Sequence, residues 1–232
     1  MSRVAVVTGA SQGVGLEICA RLLNAGWAVV GLARQARGLQ ALLDKSPNSA
    51  SFQPVDVTQA ATVAAAFRAI KERYGSIDLL VNNAAIFQLK PFTEYSLGDV
   101  DGIIDTNLKG TIFCSFEALK LMKPGARIVN IASVAATHGI KGQALYCASK
   151  YGVDGFAEAL NQEVVERGIS ITTICPGGID TPLWNPKNPY PGGDVKQLLT
   201  SGDVAGLVEY VANLPDRVVL KRLTVFPSNE WH

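Results

Sequence analysis

At 232 residues, with 21 basic against 20 acidic side chains and a formal net charge of +1, the chain has the length of one large α/β domain and no global field to draw nucleic acid or an anionic membrane. Four scattered cysteines, Cys19, Cys114, Cys147 and Cys175, with only two histidines, His138 and His232, exclude a zinc-ligand spacing and read as small buried thiols of a reducing compartment. The opening "MSRVAVVTGASQG" runs into a glycine turn rather than an export signal, and "AGWAVVGLA" stops at Arg34, far short of the roughly 20 residues a membrane helix needs, so a cytoplasmic chain is expected.

In chain order, short β-branched runs alternate with helical periodicity. "RVAVVT" and "WAVVGLA" flank a segment carrying Val14, Ile18 and Leu22 at i, i+4 and i+8, which predicts a βαβ unit. "ASFQPV" follows, then a helix with Val63, Phe67, Ile70 and Tyr74 on one stripe, then "IDLLVNN" and one long helix from about Ser96 to Met122. "ARIVNIAS", a helix through Tyr146 ended by Gly168, "ISITTIC", a helix bearing Val204, Val208 and Val211, and "RLTVF" complete the chain. No linker rich in Pro, Gly or Ser divides it, which predicts one domain over residues 1–232. Continuous apolar strands between helices imply a parallel sheet covered on both faces, hence a doubly wound α/β sheet of about seven strands, a Rossmann fold. Ligands of such sheets bind beyond the carboxyl ends of the strands.

The residues after each strand are therefore the candidates. "TGASQGVG" places Gly9, Gly13 and Gly15 between the first strand and its helix, where tight turning, free N–H groups and the helix dipole suit a pyrophosphate. Its G-x-x-x-G-x-G spacing differs from the commoner G-x-G-x-x-G, and a plain turn is the alternative. The second strand ends in "GLARQAR": an acid there would accept a ribose 2′-hydroxyl, whereas Ala33 followed by Arg34, with Arg37 near, suits a 2′-phosphate. NADP(H) is accordingly preferred over NAD(H), with Ser11 adding a hydroxyl to the same phosphate; a solvated loop arginine is the plainer alternative. Asp56 meets an adenine amino group or simply forms a turn and caps the next helix. "NNAA" at 82–85 suits close cofactor approach or an ordinary strand exit. The stripe Val100, Ile103, Ile104, Leu108 and Ile112 turns Asn107 inward, as a structural pin or as the holder of a water in a proton path. Ser133 ends the fifth strand without a G-x-S-x-G elbow, so a serine hydrolase is poorly supported.

In "YCASK", Tyr146 and Lys150 sit at i and i+4 and share a helix face, where an ammonium would stabilise a phenolate and lower the tyrosine from its ordinary value of about 10. An isolated Y-x-x-x-K arises often by chance. Here "TGASQGVG", "NNAA", Asn107, Ser133, "YCASK" and "PGGIDT" stand together, and in that order and spacing the chain closely resembles the classical short-chain dehydrogenase/reductase family over essentially its full length. The resemblance implies an NADP(H)-dependent oxidoreductase that moves hydride between nicotinamide and a carbonyl or secondary alcohol. It implies that Tyr146 is the general acid/base, that Lys150 lowers its pKa and binds the nicotinamide ribose, that Ser133 orients the substrate oxygen, and that Asn107 supports a relay water. Gly9, Ser11, Gly13, Val14 and Gly15 would then hold the pyrophosphate side, Asp56 and Val57 the adenine, and Asn83 and Ala84 the adjoining ribose. Pro176, Gly177, Ile179 and Thr181 would meet the nicotinamide end. Two departures are Ala85, where the family usually carries the last glycine of N-N-A-G, and a tail, "LTVFPSNEWH", without the family's glycine-rich ending.

The Pro- and Gly-rich segment 182–200, with Trp184 and Tyr190, is expected to be a substrate loop, its aromatic residues suiting an apolar or ring-bearing molecule; a passive surface loop is the alternative. Gly152 and Gly155 in the Tyr146 helix each cost about 1 kcal/mol of helix propensity. Close packing of a second helix, from the same chain or another subunit, would compensate, and the resemblance points to a homodimer or homotetramer built on this helix and the one carrying Asn107. Two other functions fit parts of the sequence: a noncatalytic NADP-binding regulator, which has no use for the four polar residues, and a sugar-nucleotide epimerase or dehydratase, which would bring a larger carboxyl-terminal domain.

Overall fold

The apolar runs form the strands β1 (Val4–Thr8), β2 (Ala28–Ala33), β3 (Ala50–Pro54), β4 (Ile77–Asn82), β5 (Met122–Ile131), β6 (Ser170–Pro176) and β7 (Arg222–Val225) of a computed structural model whose described residues are 2–186, 188–192 and 194–229. All pair in parallel in one sheet of order β3-β2-β1-β4-β5-β6-β7. The order reverses direction between β1 and β4, which opens a crevice at their carboxyl ends.

Successive strand residues point to opposite faces, and each face has its own core. Ala5, Val7, Val29, Leu79, Val81 and Val129 pack under α1 (Gly13–Asn24), α2 (Leu39–Lys45) and α7 (Ser201–Ala212) through Ile18, Leu22, Leu39, Val204 and Val208. Val6, Val30, Leu80, Ile128 and Ile171 pack under α3 (Ala60–Tyr74), α5 (Gly110–Leu119) and α6 (Ala144–Val164) through Phe67, Ile70, Cys114, Ala157 and Val164. Burying both faces is why these strands read as unbroken apolar runs.

Three expectations change. The long helix predicted from Ser96 to Met122 is α4 (Leu97–Ile104), a π turn over Asp105–Lys109, then α5, and Met122 already belongs to β5. Gly110 donates its N–H to the Asp105 carbonyl five residues back, and a Cβ at Gly110 would lie 2.8 Å from Val57, so the wide turn lets α5 sit close against the β3 exit. The short helix α2 was not foreseen; only Leu39 of its seven residues is buried, too few for a visible stripe. A Cβ at Gly152 would fall 2.8 Å from Leu108 of the same chain, so its close packing is internal, whereas a Cβ at Gly155 would meet nothing within 4 Å outside its own helix backbone among the described residues. The helix through Tyr146 ends as expected, by a short 3-10 turn and Gly168 in the left-handed region at φ 69°. Among the described residues no helix is long and apolar enough to cross a membrane.

Candidate active site

A cavity of about 1110 Å³ runs along the carboxyl ends of the strands. It brings together Gly9, Ser11, Gly13, Val14, Arg34, Val57, Asn83 and Ala84 at one end and Ser133, Tyr146, Lys150, Pro176, Gly177, Ile179, Thr181 and Trp184 at the other. Gly15, Asp56 and Asn107 do not line it.

The glycine turn owes its residues to sterics. Gly9 and Gly13 have φ of 65° and 54°, a region that L side chains rarely adopt, and a Cβ on Gly9 would lie 2.9 Å from the Ala84 backbone. At Gly15 a Cβ would lie 2.4 Å from the Gly9 carbonyl oxygen, so this glycine seats the helix against the turn and does not face a ligand. The turn is tied to the β4 exit by Thr8, whose Oγ1 accepts from the N–H groups of Asn83 and Ala84 at 2.9 and 3.0 Å. The Asn83 Nδ2 donates back to the Thr8 carbonyl at 3.0 Å, so its side chain is spent on the scaffold and only its cavity-facing surface is left for a ligand. Helix α1 starts with no acid in its first turn and no side-chain cap from Gln12, leaving its N–H groups aimed into the cavity. Open N–H donors behind a turn that tolerates no side chain fit a dinucleotide diphosphate.

At the β2 exit, Arg34 is exposed at the cavity edge beside Gln35 and Arg37. Asp56 is turned elsewhere: its Oδ1 accepts from the Thr58 N–H at 3.0 Å and hydroxyl at 2.8 Å. The turn-forming alternative therefore describes Asp56, and of the pair expected at the adenine only Val57 lines the cavity.

The four polar residues of the other end converge from different elements. Ser133 follows β5; its hydroxyl accepts from the Ala135 N–H at 3.1 Å and lies close enough to the Tyr146 phenol to favour its ionised form. Lys150, 3 % exposed, donates from Nζ to the Ile131 carbonyl at 2.8 Å, and that nitrogen lies 5.6 Å from the centre of the Tyr146 ring. Asn107 is buried in the π turn with its amide fully occupied: Oδ1 accepts from the Ile86 N–H at 2.8 Å, and Nδ2 donates to the Ile86 carbonyl and the Ser149 hydroxyl, each at 3.0 Å. Ser149 in turn donates to the Tyr146 carbonyl at 2.7 Å. The structural-pin alternative thus describes the Asn107 side chain, which locks the β4 exit to the first turn of α6. Ser149 was missed, although it stands inside "YCASK".

Burial pushes the Tyr146 phenol up to about 12, against a downward pull from the Ser133 hydroxyl and a further upward push from Cys147. Burial pushes the Lys150 ammonium down to about 8, with Cys175 acting weakly the other way. The expectation of a phenol lowered by its lysine is corrected by this geometry, because both groups share a poorly solvated cavity in which each neutral form is favoured. Between about 8 and the ordinary 10.5 the unfolded chain holds a lysine proton that the fold does not, so this group makes stability rise with pH across that window. Burial of Cys19, Cys114 and Cys175 raises their thiols above 9.0 and acts oppositely at higher pH. The clean measure is therefore wild type minus Lys150→Met. That difference in unfolding free energy from urea melts is expected to rise by about 2 kcal/mol between roughly pH 7.5 and 9.5, and a flat difference would refute the depressed lysine.

The segment 182–200 folds over this end, as far as its described residues show; Lys187 and Gly193 lie outside them. An edge-to-face chain of rings leads from Tyr146 to Phe87 at 4.9 Å, to Trp184 at 5.1 Å and to Tyr190 at 5.0 Å. Asn188 fastens the loop to the segment after β4, accepting from the Leu89 N–H at 3.1 Å and donating to the Phe87 carbonyl at 3.4 Å. Phe87 was missed because nothing in the sequence places the segment after β4 against this loop. Ala85 lines the cavity, and the tail reaches it through Asn229, whose Nδ2 donates to Gln197 at 3.1 Å. Glu230, Trp231 and His232 lie outside the described residues.

Comparison with known proteins agrees with this arrangement. Residues 3–191 match the family model described as short chain dehydrogenase. A 3beta-hydroxysteroid dehydrogenase of Mediterraneibacter gnavus is 38% identical over 186 residues, 78% of this chain and 67% of the relative. A farnesol dehydrogenase of Aedes aegypti is 34% identical over 240 residues, 98% of this chain and 97% of the relative. The closed form of a serine dehydrogenase complexed with NADP+ superposes with a TM-score of 0.91 at 28% identity, covering 99% of this chain and 96% of that one. This chain therefore belongs to the short-chain dehydrogenase family of NAD(P)-dependent oxidoreductases.

Proposed function

We propose that the protein transfers hydride between NADP(H) and an uncharged carbonyl or secondary alcohol, with Tyr146 as general acid and base. The observation that carries this reading is the Ser133 hydroxyl beside a buried Tyr146 phenol, with Lys150 next to the ring, in the same cavity as the glycine turn. NADP(H) supplies or accepts the hydride when it is bound along that cavity. As hydride reaches the carbonyl carbon, the π electrons of the C=O bond move to oxygen and Tyr146 delivers its proton there, giving the alcohol and a phenolate. Ser133 hydrogen-bonds the same oxygen while its negative charge grows. Burial favours neutral Lys150 before the reaction, and the negative charge growing on the phenol favours its ammonium form, which stabilises the phenolate. The reverse sequence oxidises an alcohol, so direction follows the cofactor ratio.

The only charged side chains among the described residues lining the cavity are Arg34, Arg37 and Lys150, two of them at the β2 exit and one at the catalytic ring. The substrate end presents Phe87, Ile140 and Trp184, which supports an uncharged and largely apolar substrate. The similarity to proteins that act on a hydroxysteroid and on farnesol supports the same class. A panel of ketones and aldehydes offered with NADPH and with NADH, followed by loss of nicotinamide absorbance, tests the reading. Cofactor binding with no turnover on any of them would favour the noncatalytic regulator.

The same proposal includes a cytoplasmic location and a homodimer or homotetramer. Phe116 of α5 and Tyr151 of α6 are 62% and 45% exposed, and the open Gly155 lies one turn beyond Tyr151, so two helices offer an apolar face to a second copy. Light scattering at micromolar concentration is expected to give at least twice the mass of one chain, and a monomer would remove this part of the proposal.

A further inference from the structure

Gln143 stands immediately before α6, three residues ahead of Tyr146, and is 7% exposed. Its backbone is fixed: the N–H donates to the Ile140 carbonyl at 3.1 Å, and its carbonyl accepts from the Cys147 N–H at 2.7 Å as the first bond of the helix. Its side chain does not cap that helix, and among the described residues its amide has no hydrogen-bond partner, although it lines the cavity. Neither amide atom is cut off from solvent, so donor and acceptor face the cavity uncommitted and are open to a polar group that enters it. Phe87 and Ile140, which line this end, carry no hydrogen-bonding group to offer it.

We propose that Gln143 reads a second polar group of the substrate. Residues three apart on a helix carry Cβ atoms roughly 5–6 Å from each other, so an oxygen held by Tyr146 and Ser133 and another held by Gln143 belong to neighbouring parts of one small molecule. An amide both donates and accepts, and apart from Lys150 at the catalytic ring no charged side chain lines this end among the described residues, which matches a neutral partner. The substrate class is therefore an uncharged carbonyl carrying a hydroxyl or keto oxygen on an adjacent carbon or the next one, in preference to a simple ketone. This rests on the reading of Tyr146 as the acid at the reacting oxygen.

The probes are 2-hydroxycyclohexanone and cyclohexanone. Wild type is expected to favour the hydroxyketone in kcat/KM, and both Gln143→Met and Gln143→Leu to lower that preference by about 10- to 100-fold. The second variant covers a folding failure of the first, with NADPH binding as the check on each. A wild type that does not distinguish the two ketones, or variants that keep the preference within about twofold, overturn the proposal. Binding of the same two ketones, read by quenching of tryptophan fluorescence, separates this from failure of the hydride-transfer reading. If neither ketone is turned over, that reading fails, whereas a binding preference lost in the variants still supports Gln143 and equal binding of the two ketones overturns it.

Discussion

Tyr146→Phe is expected to lower kcat/KM for carbonyl reduction by about 10²–10⁴-fold, the range for loss of a positioned general acid. The substitution removes one oxygen and keeps the ring, which packs edge-on to Phe87 at 4.9 Å, so the aromatic wall from Tyr146 to Tyr190 keeps its shape. Ser133 keeps its bond from the Ala135 N–H and loses only the phenol. Both pins of the α6 turn also survive, because Ser149 bonds the carbonyl of residue 146 and not its side chain. With the scaffold intact, NADPH affinity within about threefold of wild type is expected, since the interaction removed is made mainly in the transition state. Stopped-flow hydride transfer with a fluorescence titration of NADPH measures the two quantities separately. A variant that keeps most of its turnover would take the acid from Tyr146 and leave the buried Lys150 as the remaining donor.

How much of this was legible in the sequence depended on whether the cause was local. Buried parallel strands advertise themselves as apolar runs, and a glycine-bearing turn between a strand and a helix is a short-range feature, so β1 to β7 and the Gly9 turn were readable. That Tyr146 and Lys150 share a helix face follows from their i and i+4 spacing, but their role was legible only through the company of the other motifs and the family resemblance these carry. The π turn at Asp105–Lys109 was not, because one widened turn leaves an apolar stripe almost unchanged while it changes where the backbone bonds go. Asp56 was put at the ligand by the family resemblance, with a turn as its alternative, and Gly15 by its spacing, yet a carboxylate taken by Thr58 and a glycine wedged under Gly9 have local partners that neither shows. The direction of the Tyr146 shift needed three-dimensional burial, since a helix face gives the neighbour but not the solvent. Gln143 stood out only once its lack of a partner was visible.

Arg34→Asp is expected to lower the preference for NADPH over NADH by about 10²-fold or more, because one charge-assisted hydrogen-bonding partner of a phosphate is worth roughly 1.5–3 kcal/mol and the new carboxylate adds repulsion. Strand β2 ends at Ala33, so residue 34 is the first free of the sheet, where a carboxylate would accept a ribose hydroxyl and a guanidinium meets a 2′-phosphate. Among the described residues the Arg34 guanidinium has no hydrogen-bond or ion-pair partner, so its donors are uncommitted. Arg37 is constrained instead. It holds φ of 40°, a costly region for a side chain of its size, and donates to Gln35 at 3.2 Å and to Gln12 of the glycine turn at 3.5 Å. The Gly38 N–H reaches the Ser11 carbonyl at 3.2 Å, so the segment after β2 braces the phosphate turn. Arg37→Ala should therefore weaken both cofactors together, whereas Arg34→Asp should separate them, with NADH holding or gaining as NADPH falls. Raising ionic strength should erode the wild-type preference and leave the Arg34→Asp enzyme nearly unaffected, since screening acts on the phosphate contact. If kcat/KM for the two cofactors moves in parallel in Arg34→Asp, the guanidinium is a solvated loop residue and the choice of NADP(H) has no support at the β2 exit.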